Sequence, residues 1–253
     1  MIKSKKLSKF SFIKHGFFNR LGDNSTGIYK SLNCASGSSD KRNKIHENLK
    51  IVVSKIKPKS RKIFLPDQFH SNKFHFIDKK LKIGNYKFKG DAFITNRPGT
   101  PIGILTADCA PILLFDQKKI MVAAIHAGWK GAYKGIINKV IKFMIKKGCS
   151  TDSINAVIGP CISVKSYEVK QDFINKFIKK DPKNKKFFKR IRNKNYFSLN
   201  KYVAYQLKIM NIKKVEVINK DTFDVKNNFF SARRSKSHNE NDYGRNISVI
   251  MIN

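Results

Sequence analysis

Acidic residues are scarce in this chain: Asp and Glu number 17 against 53 Lys and Arg, a formal charge of +36 over 253 residues. That imbalance excludes a surface of self-compensating ion pairs and makes weak, salt-sensitive attraction to polyanions expected in solution. The basic residues are scattered from Lys3 to Lys226 among Asn and Ile rather than gathered into an arm, which reads as a solvated surface. A basic RNA-associated protein without catalysis stands as one alternative, and it requires a clustered basic face with exposed aromatics. Cysteine is also sparse. Cys34, Cys109, Cys149 and Cys161 are widely separated with no C-x-x-C pair, which excludes a disulfide framework and points to reduced thiols. Nowhere do ~18 apolar residues run together, and the first eighteen residues hold no apolar stretch of signal-peptide length, so a cytoplasmic protein with no membrane role is expected. No internal repeat or linker appears, which excludes a solenoid and favours one domain over residues 1–253.

What is present centres on residues 102–131. Two apolar runs, ILLF and IMVAAI, flank the polar stretch Asp116-Gln117-Lys118-Lys119 and predict a β-hairpin. A two-residue turn at Gln117-Lys118 would place Cys109 directly opposite His126. Before the hairpin, strands are expected at 13–18, 63–65, 73–77, 91–95 and 102–105, with a helix over 40–56 capped by Asp40 and followed by Pro58. After it, apolar residues at helical spacing predict a helix over 132–147, stopped by Gly148. Further helices are expected at 170–180 and 199–210, the latter capped by Ser198, and strands at 154–158, 215–218 and 247–251. The charged stretch 182–194 reads as a connection, and Trp129 as packed on a helix or edging a pocket. Strands alternating irregularly with helices give a mixed α/β fold.

Cys109 and His126, joined by His70 or His75, would make the open three-ligand set of a catalytic zinc site. The same residues without metal suit a thiol nucleophile and its base, as in Cys-His hydrolases, and a strand-end Cys and His also occur with no chemistry at all. His238-Asn239-Glu240 mimics the H-x-E of zinc deaminases, but no P-C-x-x-C follows it.

DQFHS, GDAFITNRPG, TADCAPILLFD, AAIHAGWKGAYKG, IGPCISVKSYEV, FFSARR and DYGR follow one another along nearly the whole chain, and together they resemble the YfiH family, also called laccase-domain, polyphenol oxidase or purine nucleoside phosphorylase proteins. The resemblance implies a mixed-sheet layered α/β sandwich and a zinc held by His70, Cys109 and His126, which would also be the catalytic residues. It implies phosphorolysis of inosine, guanosine, adenosine and methylthioadenosine to base and ribose 1-phosphate, with adenosine deamination beside it, in a monomer or homodimer with no specific nucleic-acid partner. Arg20, Lys130, Arg233 and Arg234 are candidate phosphate ligands; Asn33, Gln68 and Asp108 are candidates to orient sugar, base or metal ligands. Copper with phenol oxidation is the rival, since Cys with two His also binds copper, although six His and no His-x-His argue against a multinuclear cluster. Ser71, Ala232 and Asp221-Thr222 replace the Gly, Tyr and Cys-Thr common in the family, and Ala232 removes a ring that could stack on substrate.

Overall fold

The computed structural model describes residues 1–22, 24–57, 62–78 and 88–253. In chain order the strands and helices are β1 Ile13–Phe17, α1 Arg42–Ile56, β2 Phe74–Ile77, β3 Ala92–Thr95, β4 Ile102–Thr106, β5 Ala110–Asp116, β6 Met121–Ala127, α2 Trp129–Tyr133, α3 Ile136–Lys146, β7 Ile154–Ile158, β8 Glu168–Val169, α4 Gln171–Lys180, β9 Phe188–Ile191, β10 Lys194–Phe197, α5 Leu199–Ile209, β11 Lys214–Val217, α6 Ala232–Ser237 and β12 Asn246–Ile252. Among the described residues they form a six-stranded mixed sheet ordered β11-β7-β5-β6-β3-β2, a three-stranded sheet β1-β12-β4 and a small sheet β8-β10-β9. No helix among them is long and apolar enough to cross a membrane.

Side-chain parity along β5 and β6 explains the layering. Ala110, Ile112, Leu114, Met121, Ala123, Ile125 and Ala127 face one way, against Ile136, Ile137, Val140, Ile141 and Met144 of α3 and Leu199, Val203 and Leu207 of α5. Leu113, Phe115, Val122 and Ala124 face the other way and meet Ile13, Phe17, Ile102, Ile104, Ile250 and Ile252 of the three-stranded sheet. The outer face of that second sheet presents Ile247, Val249 and Met251 to Val52 and Ile56 of α1. The result is a four-layer sandwich: helices, mixed sheet, antiparallel sheet, helix. Strands covered on both faces read as unbroken apolar runs rather than alternating ones, which is why ILLF and IMVAAI stood out.

Several boundaries differ from expectation. The helix predicted over 132–147 is two, because Gly135 adopts a left-handed φ of 85° between α2 and α3. Lys41, not Asp40, precedes α1; the Asp40 carboxylate instead accepts from Ser25 Oγ and Asn33 Nδ2 and ties the preceding loop together. Pro58 lies outside the described residues. The stretch expected as a strand at 63–65 contributes only a bridge between Phe64 and Ile102. The expected connection 182–194 carries a 3-10 turn, Pro182–Phe187, and the hairpin β9-β10, turned by Arg192 and Asn193 at φ of 46° and 61°. Those two residues lack the Asn-Gly signature of such turns, and the hairpin is anchored by Phe188 and Phe197 packing edge-on or tilted against Phe173 and Phe177 rather than by alternation.

Candidate metal centre

The hairpin register differs from the two-residue turn. Asp116 pairs with Met121 and Pro111 with His126, leaving the four-residue turn Gln117 to Ile120. The cause is Asp116, whose carboxylate accepts from the amides of Lys118 and Lys119 and from Ser153 Oγ, while Ile120 takes a left-handed φ of 48°. Cys109 therefore sits one residue beyond the last ladder pair, Ala110 with Ala127, instead of opposite His126. The shift is two residues, so parity is kept and both side chains still project on the face that looks toward the second sheet. Asp91, just before β3, shares the parity of Phe93 and joins them there.

His70 completes the cluster from the loop before β2. One ligand atom from each of His70, Cys109 and His126 lies within 4.8 Å of the others, and among the described residues this is the one such group of three. Cys109 Sγ is 3.7 Å from His70 Nε2. A tetrahedral ion with ~2.0–2.1 Å bonds to nitrogen and ~2.3 Å to sulfur needs an N···S edge of ~3.6 Å, so the donors fit a metal. Gly128 makes the approach possible: a Cβ there would stand 2.6 Å from Cys109 Sγ and 2.9 Å from His70 Cδ2. His75 does not take part, because its Nε2 bonds the Lys89 carbonyl at 2.9 Å.

Asp91 holds the cluster in place. Fully buried, it accepts from the His70 amide at 3.0 Å, from the Ser71 amide and hydroxyl at 2.6 Å each, and from His126 Nδ1 at 2.8 Å. With Nδ1 committed to the carboxylate, His126 Nε2 is the nitrogen left for the cluster, the carboxylate–histidine arrangement usual at metal sites. The same bonds fix His70, whose φ of 59° would otherwise be costly. Burial opposes ionisation of Asp91, but the bonds from His126 and Ser71 outweigh it and hold the carboxyl at about 2.

Burial likewise opposes a Cys109 thiolate, yet the charge of His126 and hydrogen bonds from both histidines bring the thiol down to about 6. The other thiols go the opposite way: burial pushes Cys149 up to about 12 and raises Cys34 and Cys161 as well. Iodoacetamide should therefore modify metal-free native protein at Cys109 alone, with a rate midpoint near pH 6. Peptide mapping across pH checks this; a midpoint near the ordinary thiol value, or equal labelling of the four cysteines, would contradict it.

A cleft of about 590 Å³ opens over the cluster, walled by Leu65, Gln68, Phe88, Leu105, Tyr243 and Arg245. Of the residues expected at the site, Gln68 lines it, and its amide makes a two-way bond with the backbone of Leu105, 2.8 Å in each direction. Asp108, at φ 81°, lies behind Cys109 and accepts from Thr222 Oγ1, Ser231 Oγ and the Arg233 amide, tying the FFSARR segment to the site. Asn33 is buried beside the cleft and bonds Ser38, Asp40, Ala35 and Arg245. The expected cations stand elsewhere. Arg234 donates to the carbonyls of Thr222, Phe223 and Phe229; Arg233 reaches the Glu168 carbonyl and the Tyr167 ring; Arg20 lies over Phe230 and Lys130 over Trp129. Trp129 packs on Phe173 away from the cleft, and His238 ends α6 at the surface. Asp91, Tyr243 and Arg245 join the site as well, and the sequence signal for them is their place inside the motifs GDAFIT and DYGR.

Residues 14–253 match the family described as multi-copper polyphenol oxidoreductase laccase. A purine nucleoside phosphorylase of Bacteroides thetaiotaomicron is 32% identical over 100% of this chain and 96% of its own. One from Haemophilus influenzae is 32% identical over 91% of each chain. The crystal structure of the Bacillus licheniformis hypothetical protein YfiH superposes with a TM-score of 0.87 at 25% identity, covering 97% of this chain and 94% of that one. YlmD from Geobacillus stearothermophilus has the same fold, with a TM-score of 0.87 at 21% identity over 98% and 94% of the two chains. With its layered fold and its His-Cys-His cluster, the chain belongs to the YfiH family of laccase-domain proteins.

Proposed function

We propose that this chain is a zinc-dependent purine nucleoside phosphorylase that takes inosine, guanosine, adenosine and methylthioadenosine, and that it also deaminates adenosine. The observation that carries the reading is a single cleft lined both by the His-Cys-His cluster and by the rings of Phe88 and Tyr243. The name borne by the Bacteroides and Haemophilus relatives supports it. Zinc bound by His70, Cys109 and His126 would supply Lewis-acid chemistry at an open fourth position.

The chain's own residues do the rest. Leu65, Leu105, Phe88 and Tyr243 offer apolar and ring surface to a purine, and a volume of about 590 Å³ accommodates a nucleoside with phosphate. Asp91 keeps His126 in one tautomer and both histidines in one orientation, so the site needs little rearrangement. In phosphorolysis a phosphate oxygen bonds to C1′ of the ribose as the C1′–N9 bond breaks; the electron pair leaves with the base, which ends with the proton that hydrogen phosphate brought. The test is to incubate purified protein with inosine and follow hypoxanthine and ribose 1-phosphate. Equimolar products that require phosphate support the reading, and ribose as the sugar product refutes it.

A second reading rests on the alignment of Asp91, His126 and Cys109, which without metal is that of a thiol hydrolase. Chelation separates the two: a hydrolase of that kind keeps its turnover without metal, and the phosphorylase loses it. Copper oxidation of phenols would use the same three donors, and the metal content of the purified protein distinguishes it.

A further inference from the structure

We propose that Arg245, with the backbone amides of Ser36 and Gly37, forms the subsite for inorganic phosphate; this rests on the phosphorylase reading above. Arg245 is the one Lys or Arg among the described residues that line the cleft. The four cations expected for this role are drawn elsewhere, Arg234 most completely, with its guanidinium spent on three carbonyls.

The position of Arg245 follows from the second sheet. Asn246 pairs with Thr106, the last residue of β4, so Arg245 stands level with Ala107, and both line the cleft together with Cys109. A phosphate there reaches a ribose whose base lies over the His-Cys-His cluster. The guanidinium lies over the Tyr243 ring, 4.7 Å from its centroid, and makes one long bond of 3.4 Å to the Tyr243 carbonyl. With a ring contact and that one long bond, most of its N–H donors are left for a doubly bonded oxyanion.

The neighbouring segment is the loop Ala35-Ser36-Gly37-Ser38, whose first three residues line the cleft with Arg245. Among the described residues the amides of Ser36 and Gly37 enter no hydrogen bond within the protein, and a Cβ built on Gly37 meets nothing within 4 Å. Successive open amides of this kind make an anion-binding concavity. One side chain joins the two halves: Asn33 Oδ1 accepts from the Arg245 amide at 3.0 Å and from the Ala35 amide at 3.2 Å. Asn33 is therefore a positioning residue for this subsite.

The experiment is Arg245→Gln and Arg245→Lys in the zinc-loaded enzyme, with the exposed Lys201→Gln controlling for nonspecific attraction of phosphate to a basic protein. Arg245→Gln should raise KM for phosphate about 10- to 100-fold while KM for inosine moves less than about threefold and bound zinc is unchanged. Arg245→Lys should recover part of the loss, and Lys201→Gln should match wild type. An unchanged phosphate KM in Arg245→Gln, or equal losses for both substrates together with lost zinc, overturns the subsite. If wild type shows no phosphate-dependent turnover, the phosphorylase reading fails by itself, and the subsite is judged by the ³¹P line width of phosphate. Broadening by wild type that Arg245→Gln abolishes supports it; equal widths overturn it.

Discussion

Metal and purine release should disappear together in Cys109→Ala. The thiol is one of three donors and the only anionic one, so its loss removes both a ligand and the charge that favours a divalent cation; affinity should fall by more than the ~100-fold typical of losing a supporting residue. The fold should survive. Cys109 lies outside β5 and is partly exposed, while the packed residues start at Ala110 and Ile112, so, with both proteins metal-free, unfolding free energy should change by no more than about 1 kcal/mol. Elemental analysis, phosphate-dependent turnover and thermal unfolding of the variant check this. Turnover retained by a metal-free Cys109→Ala protein would remove the cluster from the mechanism.

Asp91→Ala should be the most destabilising single change at the site. Four donors converge on a carboxylate with no exposed surface, and truncation leaves the His70 amide, the Ser71 amide and hydroxyl and His126 Nδ1 without an acceptor. Breaking a buried, hydrogen-bonded charge of this kind costs about 3–5 kcal/mol, and losing the histidine's partner lowers metal affinity about 10- to 100-fold. The acid limb of stability follows from the same bonds. Asp91 is held at about 2 in the folded protein against an ordinary 3.8, so its contribution is complete above about pH 4 and is lost as pH falls through 2. Denaturant titrations of metal-free wild type and Asp91→Asn should converge as pH falls through that window. A constant difference between them would contradict the role assigned to Asp91.

How much of this was legible beforehand differs by element. The hairpin core and the strong apolar stripe of α3 were readable because burial on both faces of β5 and β6, and on one face of α3, leaves an unmistakable pattern in the residues. The register was not, because Asp116 chooses the turn through bonds to Ser153 and the turn amides, and Ser153 is far along the chain. The break at Gly135 was readable in principle as a glycine inside a helical run; the aromatic anchoring of β9 and β10 was not, since Phe188 and Phe197 sit among lysines. The grouping of His70, Cys109 and His126 followed from motif and resemblance, and the structure brings their donor atoms together. Arg234 illustrates the opposite case: an arginine beside a site suggests an anion ligand, but burial turns its donors onto backbone carbonyls. Asp91 and Arg245 were hidden because their roles depend on partners 35 and 212 residues away, His126 and Asn33.

The most direct test of metal-dependent phosphorolysis in this cleft is a metal titration followed by turnover. Protein stripped with a chelator should be inactive, and zinc added back should restore phosphate-dependent release of hypoxanthine from inosine in proportion, levelling off at about one equivalent per chain. Full turnover in the stripped protein, or none at saturating zinc, would contradict the account.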